Sequence, residues 1–200
     1  MTQTIEEISQ ENLTIEILRL FPRQGKWTEA DYFRLPESNK IIELSEGRLI
    51  ISPSPTTQHQ MILGSFFSTL RTYVTSNKLG MIVISPMDVR LRKGIIRQPD
   101  IIFMSNEHLD RISNKRWGIP DLAIEVSSPG TKKEDRKDKY TEYEKAGIKE
   151  YWIIDPNKQT VEVFTLENAT YKIFGRWGIG EIAKSKLLDG FEVKIDDVMI

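Results

Sequence analysis

Residues 121–128 read DLAIEVSS, and this short run predicts more of the architecture than any other part of the chain. Over residues 121–127, the even positions carry leucine, isoleucine and valine, whereas the odd positions carry small or acidic side chains, which is the period of a β-strand. Glu125 therefore projects from a strand whose opposite face is suited to a core. A carboxylate in such surroundings is unfavourable unless it has a partner, and a divalent cation and a lysine are both candidates.

A second acidic strand is predicted at residues 99–103, PDIIF. Pro99 opens this strand, where its missing N–H costs least, and Asp100 is followed by three apolar residues. Hard oxygen ligands on neighbouring strands suit Mg²⁺ or Mn²⁺, and two carboxylates with a backbone carbonyl commonly hold such an ion beside a phosphate. The alternative is that Asp100 and Glu125 form salt bridges with arginine or lysine at the rim of the sheet.

Residues 131–146, TKKEDRKDKYTEYEKA, predict a highly charged helix that ends at Gly147. On a helical wheel, its apolar side also carries positive charges. The residues on this side are Lys132, Arg136, Lys139, Tyr140, Tyr143 and Ala146. Cations on an inward-facing stripe need an anionic partner. The start of the helix, with Lys132, Lys133, Arg136 and Lys137, could also meet a nucleic-acid backbone, although such runs are usually solvated.

The depth of Lys139 along the helix matches that of Glu125 along the strand. Glu125 lies three residues before the strand ends, roughly 10 Å. Lys139 lies eight residues into a helix that runs back along the strand, roughly 12 Å. Lys132 is too shallow, and Arg136 is the second candidate. Two carboxylates and a lysine would then converge, which is the set needed to hydrolyse a phosphodiester, with a metal to activate water and a lysine to stabilise developing charge.

Two further side chains are candidates for the same site. Glu43 lies in the first strand of a hairpin predicted around Gly47, and it could supply a third carboxylate or pair with Arg48 or a lysine. His59 begins a predicted amphipathic helix over residues 59–74, where it could contact phosphate, relay a proton or make a structural hydrogen bond. His108 lies in a polar loop over residues 104–118 and is expected to be solvated.

The order of the predicted elements favours an α/β sandwich with a mixed sheet. Apolar runs at 81–84 and 87–91 predict strands that form a meander with the Asp100 strand. The Glu125 strand, the charged helix and an apolar strand at 149–154 follow. The chain is expected to form one domain over residues 27–200, after an N-terminal helical extension over residues 1–26.

Composition limits the function classes. With 200 residues, 39 % hydrophobic and 28 % charged, the chain is typical of a soluble globular protein, and its net charge of −1 gives no global attraction to nucleic acid. It has no cysteine and only two histidines, so a disulfide framework, a thiolate nucleophile and a zinc site are disfavoured. Neither a signal peptide nor a membrane span is visible, so a cytoplasmic location without a membrane partner is expected.

At these residues the chain resembles the PD-(D/E)XK nuclease superfamily, and more closely the bacterial Uma-type family of restriction endonucleases. The resemblance spans about residues 27–200, and several ordered blocks carry it. They are IELSEG at 42–47, HQ at 59–60, PD at 99–100, PDLAIEVSSP at 120–129, Asp135, Lys139, Tyr143, AG at 146–147 and EYWIIDP at 150–156. The resemblance implies a restriction-endonuclease-like fold with Asp100 and Glu125 in the metal-binding places. Glu43 would take the place of an additional acidic residue that many superfamily members carry.

One position departs from the superfamily pattern. The superfamily lysine normally stands two residues after the acidic residue, where this chain has Ser127. The resemblance therefore implies a lysine relocated to the following helix, which agrees with the depth of Lys139. The leading hypothesis is a Mg²⁺- or Mn²⁺-dependent DNA endonuclease, acting as a homodimer because one site cuts one strand. The alternatives are a nucleic-acid-binding or regulatory protein that keeps the fold without turnover, and a set of purely structural ion pairs.

Overall fold

The computed structural model describes residues 21–36, 40–128 and 130–199. Most of the predicted N-terminal extension, residues 1–20, lies outside these ranges. The strands are β1 (Ile42–Ser45), β2 (Arg48–Ile51), β3 (Gly80–Ile84), β4 (Val89–Arg92), β5 (Ile95–Arg97), β6 (Ile101–Ser105), β7 (Leu122–Val126), β8 (Glu150–Asp155), β9 (Thr160–Glu167), β10 (Thr170–Trp177), β11 (Ile182–Lys184) and β12 (Glu192–Lys194). The helices are α1 (Glu29–Tyr32), α2 (Thr57–Ser76), α3 (Lys132–Glu134), α4 (Tyr140–Ala146) and α5 (Ile195–Val198).

Two irregular helical segments complete the described chain. A 3₁₀-helix covers Asn106–Arg111, and a π-helical turn at Asp135–Lys139 joins α3 to α4 into one continuous helical segment. This segment is the charged helix predicted for residues 131–146, and it ends at Gly147, whose φ of 88° permits the left-handed cap. Within the described ranges, no helix combines the length and apolar character needed to span a bilayer.

A six-stranded sheet forms the centre of the fold, in the order β10-β9-β8-β7-β6-β3. The pair β7 and β8 is parallel, and the other pairs are antiparallel, so the predicted mixed sheet is confirmed. The parallel pair requires a crossover, and the segment from α3 to α4 supplies it. Elements pack on both faces of β7, with Leu122, Ile124 and Val126 in one core cluster and Ala123 in the other, so all five of its residues are buried.

Helices and smaller sheets cover the two faces of this sheet. On one face α2 packs with β11, β12 and α5, and the rings of Phe66 and Trp152 meet edge to face with centroids 5.4 Å apart. On the other face α4 packs over β7 and β8, and the rings of Tyr143 and Tyr151 meet in the same way at 5.0 Å. The predicted α/β sandwich is therefore confirmed. Full burial of side chains of this size contributes about 1.5–3 kcal/mol each.

The predicted meander is wrong. A second, four-stranded sheet has the order β2-β1-β5-β4, so the chain leaves the central sheet after β3 and returns only at β6. The strand β3 pairs directly with β6, with Ile82 opposite Phe103. The turn at Lys93-Gly94 closes a hairpin between β4 and β5 instead of leading into the central sheet. Apolar alternation identifies a strand but does not choose its neighbour, and this choice is what the sequence pattern left open.

Candidate active site

Asp100 and Glu125 meet across neighbouring strands of the central sheet. Ile101 pairs with Ile124 in the antiparallel register of β6 and β7, so the next position places Asp100 opposite Glu125. Asp100 Oδ2 accepts a hydrogen bond from the Val126 N–H at 2.8 Å. Both carboxylates are buried. The hydrogen bond to the backbone of β7 thus fixes the Asp100 carboxylate at the start of β6.

Lys139 reaches this pair from the last position of the π-helical turn. Its Nζ lies 2.9 Å from Glu125 Oε2, and 3.7 Å from both Glu43 Oε1 and Asp135 Oδ1. The juxtaposition of Lys139 with Glu125, predicted from depth along the helix and strand, is therefore present. One buried ammonium group is shared by three carboxylates.

Two contacts that sequence reasoning missed hold this arrangement. Tyr143 donates its O–H to Glu125 Oε1 at 2.7 Å, so both oxygens of that carboxylate have partners. Ser127 donates to Asp135 Oδ2 at 2.9 Å. Ser127 stands where the superfamily carries its lysine, and here it fixes the carboxylate that faces the relocated lysine. The signal was available in the sequence, because Asp135, Lys139 and Tyr143 recur every four residues.

Glu43 is held by an arginine that sequence reasoning also missed. Arg97 Nη1 lies 3.0 Å from Glu43 Oε2, and the Gln98 N–H donates to Glu43 Oε1 at 2.7 Å. Arg97 is fully buried and also pairs with Glu134 at 2.5 Å and Glu142 at 2.6 Å. Arg97 therefore ties the four-stranded sheet to the helical segment that carries the site lysine. Lys139 Nζ lies 3.7 Å from Glu43, so the predicted pairing of Glu43 with a lysine is present beside that with Arg97.

The site has more buried negative than positive charge, and the pKa values reflect this. Burial raises the pKa of Glu125 well above its usual value, and the charge of Lys139 offsets only part of that effect while Asp100 and Asp135 add to it. Burial raises the pKa of Asp135 in the same way. Burial alone would also raise the pKa of Glu43, but Lys139 and Arg97 outweigh it and lower that pKa.

Lys139 itself stays charged. Burial acts to lower its pKa, but the surrounding carboxylates, led by Glu125 and Glu43, raise it above the ordinary value for lysine. A neutral lysine acting as a base is therefore not what this environment favours. A permanently protonated donor is favoured.

A cavity of about 310 Å³ opens onto these groups. Its lining includes Asp100, Glu125, Lys139, His59, Pro53 and Pro55. His59 lies in the first turn of α2, where its N–H is capped by the Thr56 hydroxyl at 3.2 Å, and its Nε2 lies 3.5 Å from Asp100 Oδ1. The predicted accessory histidine is thus part of the cavity wall beside the Asp100 carboxylate.

Comparison with known families assigns the chain to one of them. A family model described as "Uma2: Putative restriction endonuclease" matches residues 29–195. The chain belongs to the Uma2 family. Among solved structures, a protein from Anabaena variabilis described as "a putative nuclease belonging to DUF820" is 21 % identical, with a TM-score of 0.72. The match covers 86 % of this chain and 97 % of that one, which confirms the restriction-endonuclease-like fold. No curated protein matched the chain.

Arg136 does not join the site of this Uma2 protein. It pairs with Glu162 on β9, next to Arg176, and lies 4.0 Å from Asp155. The helical segment crosses the sheet, so Arg136, three residues before Lys139, faces the next acidic strand instead of β7. Arg136 is thus not among the described residues that line the cavity, and its accessory role stays a prediction.

His108 is not solvated as expected. Its Nδ1 lies 2.9 Å from both oxygens of Asp121, which also accepts from Lys149 Nζ at 2.9 Å and from the Ser105 N–H at 2.9 Å. Burial alone would raise the pKa of Asp121, but the bonds from His108 and Lys149 lower it far below the usual range. The loop that holds His108 thus packs at the start of β7, away from Glu125.

The donor set of this Uma2 protein fits a hard divalent cation bound by two carboxylates. Within the described ranges, no group of three or more His, Cys, Asp or Glu side chains is placed to hold a metal ion. Glu43 does not form such a group with Asp100 and Glu125. Its two oxygens accept from Arg97 Nη1 and from the Gln98 N–H. Mg²⁺ commonly uses one or two carboxylates and keeps several waters. The uncompensated negative charge beside the cavity is the environment that such an ion would neutralise.

Proposed function

We propose that this protein is a Mg²⁺- or Mn²⁺-dependent endonuclease that hydrolyses phosphodiester bonds of DNA. The observation that carries the proposal is the contact of Lys139 Nζ with Glu125 at 2.9 Å, beside Asp100, in the lining of one cavity. Membership of the Uma2 family supports nuclease chemistry. The excess of buried carboxylates supports the requirement for a divalent cation.

Asp100 and Glu125 would hold the cation, which when bound would neutralise the phosphate and activate a water. Lys139 would donate to a phosphate oxygen and stabilise the charge that develops as water attacks phosphorus. The bond from phosphorus to the leaving oxygen then breaks, and that oxygen takes up a proton. His59 is the accessory group placed to contact the phosphate or relay this proton.

Glu43 and Asp135 would act through Lys139. Each lies 3.7 Å from the lysine Nζ, on different elements of the fold, so together with Glu125 they fix where the ammonium group can lie. We therefore assign Glu43 as a positioning residue and not as a direct metal ligand. Two copies of the chain, one for each strand, would be needed for a double-strand cut, so a homodimer is proposed.

Cleavage of supercoiled plasmid and of single-stranded oligonucleotides, with Mg²⁺ or Mn²⁺, tests the proposal. The variants are Asp100→Asn, Glu125→Gln and Lys139→Met, with Lys145→Met as the control because Lys145 is an exposed lysine on α4 of the same segment. Metal-dependent cutting should fall at least about a hundredfold in the three site variants and stay unchanged in the control. Equal cutting by all variants would reject the residue assignments, and a wild-type protein that leaves both substrates intact would reject the enzyme.

The departure at Ser127 favours one second candidate, a nucleic-acid-binding or regulatory protein that keeps the fold. Ser127 cannot supply the charge of the superfamily lysine, and both Glu125 oxygens already have protein partners. Binding of labelled DNA with no cleavage under either metal would support this candidate over the nuclease.

A further inference from the structure

The cavity at the site is small, and its reactive groups are almost covered. The exposed fractions of the side chains are 9 % for Asp100, 4 % for Glu125 and 8 % for Lys139. The volume of about 310 Å³ is at the lower end of pockets that hold one small organic ligand. A phosphodiester must therefore enter the cavity to reach these groups, because they do not stand on an open surface.

The cavity wall combines apolar side chains with hydroxyl groups. Ile41, Pro53, Pro55 and Val126 supply the apolar part, and the two prolines belong to the exposed segment that joins β2 to α2. The hydroxyl groups are those of Ser52, Ser54, Thr56, Ser128 and Thr131. The apolar part suits the face of a base or a sugar, and the hydroxyl groups can donate to the phosphate of the same nucleotide. The acidic floor and this wall together resemble a pocket for one nucleotide.

The charges of the lining do not suit a double helix. Among the described lining residues, Lys139 is the single lysine, arginine is absent, and Lys139 is already shared by carboxylates. Proteins that track a duplex neutralise several phosphates with lysine and arginine side chains. A duplex laid across this opening would meet Asp100 and Glu125, with Lys139 as the one lysine or arginine of the described cavity lining.

Single-stranded and duplex DNA also differ in stiffness. Duplex DNA is a stiff rod on the scale of one site, with its phosphates on the outside and its bases paired within. Enzymes that do chemistry on a base inside a pocket use single strands or extrude the nucleotide from the helix at a cost of a few kcal/mol, and seating a nucleotide of a duplex in this cavity would need the same extrusion. A single strand can turn one nucleotide into the cavity without that cost.

We infer that the substrate of this site is single-stranded DNA, or an unpaired stretch within a duplex, with one nucleotide seated against Ile41, Pro53 and Pro55. The inference rests on the proposed nuclease function and names its substrate class. Hydrolysis at the seated phosphodiester proceeds as described above, with water adding to phosphorus and the leaving oxygen taking the proton.

Three oligonucleotide substrates of one sequence test the inference: the single strand, the perfect linear duplex, and a duplex with a central unpaired bubble. With Mg²⁺ or Mn²⁺, we expect kcat/KM for the single strand to exceed that for the perfect duplex roughly tenfold or more, with cuts in the third substrate confined to the bubble. Equal or faster cleavage of the perfect duplex overturns the inference and leaves the nuclease intact. Failure to cut any of the three is a different result, which rejects the nuclease together with the inference.

A wall variant gives a second test. Ile41→Ala shortens a side chain that lines the cavity, and its backbone carbonyl, which accepts from the Ser52 N–H at 3.0 Å, is unchanged. We expect KM for the single strand to rise roughly tenfold with little change in kcat. Ile51→Ala is the matched control, since Ile51 is 57 % exposed on β2 and does not line the cavity. A KM that stays the same in Ile41→Ala and its control contradicts the proposed seat for the nucleotide.

Discussion

Glu125 lies in β7 and Asp121 directly precedes this strand, four residues earlier, and both side chains are almost completely buried. At the Asp121 end, His108, Lys149 and a backbone N–H supply donors that lower the pKa of the carboxyl. At the Glu125 end, one lysine is shared among several carboxylates, and the pKa of Glu125 is raised. The Asp121 end is therefore a structural ion cluster in which the carboxylate has its own cationic partners. The Glu125 end has more carboxylates than cations and lies next to a cavity.

The difference teaches how to separate a structural buried acid from a functional one. Burial alone does not separate them, and neither does the presence of a cation, since both ends have these. The balance of charge does, because a structural cluster tends towards neutrality, whereas a site for a cation keeps an excess of negative charge until its ligand binds.

The largest effect should come from Lys139→Met. Removing the shared ammonium group leaves Glu125, Glu43 and Asp135 buried without it, so the free energy of unfolding should fall by about 3–5 kcal/mol. Urea denaturation followed by circular dichroism measures this. Lys137→Met, on the exposed side of the segment, should change stability by less than about 0.5 kcal/mol. Equal stability of the two variants would show that Lys139 is not the cation that stabilises the buried carboxylates around Glu125.

Asp121→Asn should come next. The amide keeps the shape but loses the charge that His108 and Lys149 require, so we expect a loss of about 2–3 kcal/mol, with metal-dependent cleavage per folded molecule unchanged. Asp110→Asn, an exposed acid in the neighbouring 3₁₀-helix, is the control. A selective loss of cleavage by folded Asp121→Asn would break the distinction between the two ends.

The pH dependence of stability should have opposite signs at the two ends. Because the folded state raises the pKa of Glu125 above its usual 4.5, the stabilisation from this group is fully present below pH 4.5 and is lost as the pH rises through the raised value. Glu125→Gln should remove this loss, which amounts to about 1.4 kcal/mol per unit of pKa shift. For Asp121 the pKa is lowered, so its stabilisation is present above pH 3.8 and is lost as the pH falls through the folded value.

Unfolding curves of the wild type, Glu125→Gln and Asp121→Asn, recorded from below pH 3.8 to above pH 4.5, measure how the free energy of unfolding of each protein changes with pH. A wild type and a Glu125→Gln variant with parallel curves above pH 4.5 would contradict the raised pKa.

The smallest effect should be stabilisation by the divalent cation. At ten times its dissociation constant, Mg²⁺ or Mn²⁺ should stabilise the wild type by about 1.4 kcal/mol, because only the folded state assembles Asp100 beside Glu125. The midpoint of thermal unfolding with and without metal measures this shift. Asp100→Asn should lose it and Asp121→Asn should keep it. A shift of the same size in Asp100→Asn would place the cation elsewhere.

Local periodicity was enough to predict the central parts of this site. The alternation around Glu125 and the helical wheel through Lys139 each depend on residues close in sequence, and both were confirmed. Arg97 could not be found this way, because its partners Glu43 and Glu142 are separated from it by 54 and 45 positions. The wheel also could not assign Arg136, since which strand a helix crosses is set by packing and not by its own sequence.

The π-helical turn that ends at Lys139 gives the site an unusual sensitivity to insertions and deletions. A π turn holds one residue more than the corresponding turn of an α-helix. Deleting the exposed Lys137 would let the segment close as a regular α-helix, and it would remove the wide turn from which Lys139 reaches Glu125 while keeping both residues in the chain. The length of the segment between Ser127 and Tyr143 is therefore as much a part of the site as the identity of its side chains.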